Sequence, residues 1–151
     1  FYAEFGVSTD AVSNGPSRAP FNAEYAAILA EFNPAVVSFH FGLPAPELLA
    51  RVKATGANVF ASATTVAEAK WLARHGADAI IAQGLEAGGH RGHFLNQDLS
   101  LQQGTFTLLP QIVAAVDLPV IAAGGIVDGK GIKAALALGA SAVQMGTAFL
   151  C

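Results

Sequence analysis

The chain has 151 residues, 53% of them apolar and 13% charged, with a formal net charge of −3. That length suits one domain at most, and so much apolar surface excludes a disordered chain. The acidic balance leaves no basic footprint for nucleic acid or an anionic membrane, and no apolar run reaches the roughly 18–20 residues that cross a bilayer.

Residues 1–20 are irregular and define no element. A helix is predicted over 23–33, capped by Asn22 and stopped by Pro34. A short apolar strand over 36–39 follows. Proline in its first turn opens a helix over 46–55, which ends at Gly56. A strand over 58–61 leads to a helix over 66–75, where Thr65 and Glu68 have capping-box spacing and Gly76 terminates. After a strand over 79–82 comes a long stretch, 84–105, without periodicity and rich in Gly, His, Asn and Gln. A helix over 108–116 with Thr107 as cap, a strand over 119–122, a helix over 129–138 after Asp128, and a strand over 142–145 complete the chain.

The strands lack polar alternation, as expected of parallel strands covered on both faces. The joints Gly56-Ala57-Asn58, Gly76-Ala77-Asp78 and Gly139-Ala140-Ser141 repeat one form. Glycine supplies the left-handed helix stop, and alanine lets the chain turn closely under a sheet. Repeated strand, helix and short joint is α/β construction. The expected fold is a segment of a (β/α)8 TIM barrel, about five strand-helix units, with an open flavodoxin-like sheet as the alternative. Five strands cannot close the usual eight-stranded barrel. The chain begins at Phe1 and stops at Cys151 inside an apolar stretch, so 1–151 reads as a single partial domain. Low charge points the same way, or to a partner's cover, a homo-oligomer included. One cysteine excludes an internal disulfide framework, and with no secretory signal the expected location is a reducing cytoplasm.

A long aperiodic loop after a strand would lie at the C-terminal mouth of a barrel, where barrel enzymes place their chemistry. Within it, Gly88 and Gly89 let the backbone approach a flat ligand, and His90 leaves a tight turn at the strand end. Its ordinary pKa suits a general base. Two later strand ends, Ala123-Gly124-Gly125-Ile126 and Gln144-Met145-Gly146-Thr147, offer backbone N–H groups for an anion, with the Thr147 hydroxyl beside them. Neither turn holds Lys or Arg, so a phosphate there would rest on backbone dipoles. His40, ending the first strand, points to the same mouth. His75 complements its helix end. His93 and Asp98, in a loop expected to be mobile, are assigned nothing, and Ser17, Ser38 and Cys151 have no recognisable chemical context. The histidines lack a carboxylate at metal spacing, so no metal site is expected.

Three stretches resemble the class I nitronate monooxygenases, also called 2-nitropropane dioxygenases. They are Val37 through Pro44, Gly76 through Gly92, and Ala123 through Thr147. The resemblance implies an FMN-containing (β/α)8 barrel with a smaller additional domain. It implies oxidation of alkyl nitronates, and of nitroalkanes, by O2 to a carbonyl compound and nitrite. By position, His90 matches the catalytic histidine and His40 a histidine near the substrate. Gln83 and Gly88 match flavin contacts. Gly125 matches the residue whose amide meets the phosphate, and Gln144, Met145, Gly146 and Thr147 match the second phosphate loop. Rival readings are an NAD(P)H-dependent flavin reductase of the enoyl-thioester or quinone type, and a non-catalytic phosphate-binding fragment.

Overall fold

The structure is a computed structural model that describes residues 2–6 and 19–150. The stretch called irregular over 1–20 lies mostly outside the described residues, as do Ser17 and Cys151.

Five strands, β1 (Val36–Phe39), β2 (Asn58–Ala63), β3 (Ala79–Gln83), β4 (Val120–Ala123) and β5 (Ala142–Gln144), form one parallel sheet in sequential order. The helices are α1 (Ala23–Phe32), α2 (Pro46–Ala54), α3 (Val66–His75), α4 (Thr105–Val113) and α5 (Gly129–Ala137). Right-handed crossovers between strands whose order never reverses put the intervening helices on one face of the sheet.

The register makes this visible in the side chains. Phe39 pairs with Ala61, Ala61 with Ile80, Ile80 with Val120, and Ala82 with Ala122. These alternate residues share one face, where Leu72 of α3, Leu108, Leu109 and Ile112 of α4, and Ala135 of α5 pack against them. Leu49 and Val52 of α2 cover Phe39 and Val59 in a second cluster. The opposite face carries Ser38, Ser62, Ile81, Gln83, Ala123 and Gln144. A flavodoxin-like sheet reverses its strand order and covers both faces with helices. Among the described strands neither happens, and the sheet is an arc of a (β/α)8 barrel.

The local signals explain most boundaries. The Asn22 carboxamide accepts the Glu24 and Tyr25 N–H groups at 2.9 and 3.1 Å. The Asp128 carboxylate accepts those of Lys130 and Gly131, both at 2.9 Å. Gly56, Gly76 and Gly139 all take positive φ, followed by buried Ala57, Ala77 and Ala140.

Two caps differ from expectation. The capping box at α3 is half made. Thr65 Oγ accepts the Glu68 N–H at 3.2 Å, but the Glu68 carboxylate turns inward to the Thr64 N–H and hydroxyl at 2.7 and 2.8 Å. Helix α4 begins at Thr105, three residues before the predicted start, so Thr107 lies inside its first turn and caps nothing. Among the described residues, no helix is long and apolar enough to cross a membrane.

Candidate active site

The C-terminal strand ends and the loops after them enclose a cavity of about 870 Å³. His40 enters it from the end of β1, and Gln83, Gly88 and His90 from β3 and its loop. Gly125 lies at the exit of β4, and Gln144, Gly146 and Thr147 at that of β5. The loops after β3 and β5 touch: a Cβ on Gly88 would stand 2.8 Å from Thr147 Oγ. Of the nine residues assigned to the site from the sequence, only Met145 does not line this space. Gln144 faces the cavity, so the next side chain points the other way, and Met145 packs against the helix-side core.

The loop expected to be mobile is held by side chains. Gln83, 7% exposed, donates from Nε2 to the His90 carbonyl at 3.0 Å and accepts the Gly92 N–H at 2.7 Å. Arg91 clamps the carbonyls of Gly84 and Leu85, each at 2.6 Å. The second oxygen of buried Glu68 accepts the Phe94 N–H at 2.7 Å and the Leu95 N–H at 3.3 Å. Asp98 Oδ1 accepts the Ser100 N–H, starting a short 3-10 turn. This order comes from side chains bonding backbone groups, those of Glu68 across 26 and 27 residues and the others within nine, so it leaves no periodic trace.

His40 Nε2 lies 3.1 Å from the same His90 carbonyl. The His90 imidazole is exposed and, among the described residues, makes no hydrogen bond; Phe41 stands edge-on to it with centroids 6.0 Å apart. Phe41 has φ of 66°, a conformation costly for a side chain of its size.

At the β4 exit, Gly124 and Gly125 have φ of 120° and 65°. Neither could carry a side chain without strain, and a Cβ on Gly125 would stand 3.0 Å from Glu86 Cβ. Among the described residues, no protein group accepts the N–H groups of Gly125 and Ile126. Below this turn, the Glu86 carboxylate accepts the Thr105 N–H and hydroxyl, and Thr105 Oγ is 2.9 Å from the Gly124 carbonyl. Burial pushes the Glu86 carboxyl up. The hydrogen bonds from its own backbone and from Thr105, with the charge of Arg91, outweigh burial and hold it below the usual range.

Sequence reasoning did not single out Glu86 or Thr105. Each lies in an unremarkable local context, and only folding brings them together. Among the described residues no lysine or arginine lines the cavity, and the Lys130 and Gly131 N–H groups at the start of α5 are satisfied by Asp128. The bare amides and side-chain-free turn therefore fit a phosphate monoester held by backbone dipoles, such as the end of FMN. Among the described residues, no group of three or more His, Cys, Asp or Glu could hold a metal ion.

Fold and site together define a TIM-type barrel segment with a glycine turn of unpartnered amides and a histidine at the C-terminal rim. The family profile for nitronate monooxygenase matches residues 7–151, and the chain belongs to that family. It is 53% identical over 124 residues to a nitronate monooxygenase of Paraburkholderia phytofirmans, covering 82% of this chain and 34% of that protein. The chain thus spans about a third of the length of that relative. A nitroalkane oxidase from Streptomyces ansochromogenes superposes with a TM-score of 0.77 at 48% identity, over 83% of this chain and 37% of that one. FabK from Thermotoga maritima superposes at 0.72 with 39% identity, over 88% of this chain and 40% of that one.

Proposed function

We propose that this chain forms the catalytic rim of an FMN-dependent enzyme that oxidises alkyl nitronates with O2 to carbonyl compounds and nitrite. One observation carries the reading: the anion-binding turn at Gly124-Gly125, the Gly146-Thr147 exit and His90 share one cavity. The names of its relatives support the substrate class.

FMN, when bound, supplies the redox chemistry by accepting electrons from the substrate and passing them to O2. The amides of Gly125 and Ile126 and the Thr147 hydroxyl would hold its phosphate. Gly88 leaves room for a flat ring, and Gln144 offers a carboxamide to it. Met145 contributes through its backbone alone. His90 hydrogen-bonds the negative oxygens of a nitronate; with a neutral nitroalkane it first takes the α proton onto its imidazole. Atoms balance when two nitronates are consumed per O2, giving two carbonyl compounds and two nitrites. The single cysteine suits a reducing cytoplasm.

The test is the visible spectrum of the full chain, followed anaerobically. A flavin band bleached by the nitronate of nitroethane and not by NADH supports this function. Fast bleaching by NADH would favour a nicotinamide-dependent flavin reductase, and a colourless chain that FMN cannot reconstitute would favour a non-catalytic fragment.

A further inference from the structure

We propose that His40 is a positioning residue for His90, holding its backbone, rather than a contact to the reacting substrate. The inference rests on the nitronate reading only for the reaction in which His90 serves.

A carbonyl oxygen can only accept, so the His40 nitrogen 3.1 Å from the His90 carbonyl carries the proton. The rest of the same ring edge also faces the loop. A Cβ on Gly92 would stand 2.5 Å from His40 Cε1 and 2.9 Å from Nδ1. The whole nitrogen-bearing edge of the imidazole is therefore turned to the backbone of residues 90–92. Gln83 completes the arrangement from the other side, donating to the same carbonyl and accepting the Gly92 N–H. Side chains from β1 and β3 thus converge on one peptide oxygen.

His90 depends on that grip because its own ring makes no hydrogen bond among the described residues. Phe41 supplies the remaining contact. Its ring centroid lies 4.5 Å from that of His40 and 6.0 Å from that of His90. Its left-handed backbone places an aromatic edge against both imidazoles, and such a conformation persists only where its surroundings enforce it. Gly92 is the residue that permits the close approach, since any side chain there would push the loop off His40.

The experiment uses the full flavin-loaded chain with the nitronate of nitroethane, comparing native protein with His40→Ala, His40→Gln and Gly92→Ala. A misplacement of about 1 Å can cost on the order of 10²-fold in rate, so His40→Ala should lower kcat by about that factor and leave KM nearly unchanged. Glutamine can donate to the carbonyl and should recover about tenfold of the loss, with both limbs of the pH profile kept. Gly92→Ala should reproduce the kcat loss with His40 in place.

Hydrogen exchange of the 90–92 segment in the apo chain gives a readout independent of turnover. It should speed up in His40→Ala and return to the native rate in His40→Gln. A glutamine variant no better than alanine, a raised KM, or a lost pH limb would make His40 a substrate group and overturn the proposal. If the native chain turns over no nitronate, the functional reading fails. The exchange pattern still decides whether His40 holds the 90–92 backbone, and equal rates in all variants overturn the proposal.

Discussion

Glu86 caps a helix to which it does not belong. Its carboxylate accepts the Thr105 N–H at 2.8 Å and the Thr105 hydroxyl at 2.9 Å, 19 residues along the chain. One charged side chain thereby ties the loop carrying His90 to the start of α4 and to the floor of the Gly124-Gly125 turn.

The tie has a pH signature. The Glu86 carboxyl is held below its ordinary 4.5 in the folded chain. Its contribution is whole above that value and is lost as pH falls through the folded value. Glu86→Ala should lower stability at pH 7 by about 1 kcal/mol, the usual worth of a helix cap. In urea unfolding, the gap between native and variant should narrow as pH falls below the ordinary glutamate range and through the lowered folded value. A gap that does not narrow at any acid pH where the fold persists would show that the cap does not act through its charge.

Gly125→Val should release FMN. The position has a φ of 65°, and a Cβ there already meets Glu86, so the branched side chain must fill the turn. Flavin fluorescence titration should show a Kd raised about tenfold or more, where tenfold corresponds to about 1.4 kcal/mol. Unchanged occupancy would move the phosphate elsewhere.

His90→Asn should separate the two substrate forms. General-base help is worth about 10²–10⁴-fold, so turnover of nitroethane should fall by that range and turnover of its nitronate far less. Equal losses on both would reject proton abstraction by His90.

Leu109→Ala should be costly although it lies away from the cavity. Leu109 is fully buried between α4 and the helix-side face of the sheet. Truncating such a leucine costs about 2–5 kcal/mol. Denaturant unfolding should show a lower midpoint with an unchanged slope, and a loss under 1 kcal/mol would mean the site collapses to refill the space.

Much of the fold was legible because its signals are local. Asn22, Gly76 and Asp128 act on neighbours within a few residues, and the three Gly-Ala joints turn the chain by their own φ and small size. The inner strands β2, β3 and β4 were readable as buried because each has a parallel strand on both sides, whereas β1 and β5, expected to be buried too, each pair with one strand and stay largely exposed. Eight of the nine residues singled out for the site line one cavity, since a strand end followed by glycines is also a local pattern.

What only the tertiary structure decided depends on contacts across distance. The inward turn of Glu68, the early start of α4 under Glu86, and the grip of Gln83 and His40 on one carbonyl join residues that no periodicity connects. The side of β5 on which Met145 falls was settled by strand alternation once the sheet had its register. Much of the order in residues 84–104 comes from the buried side chains of Gln83 and Glu68, which find backbone partners there once water is excluded, and which partners are near is fixed by packing.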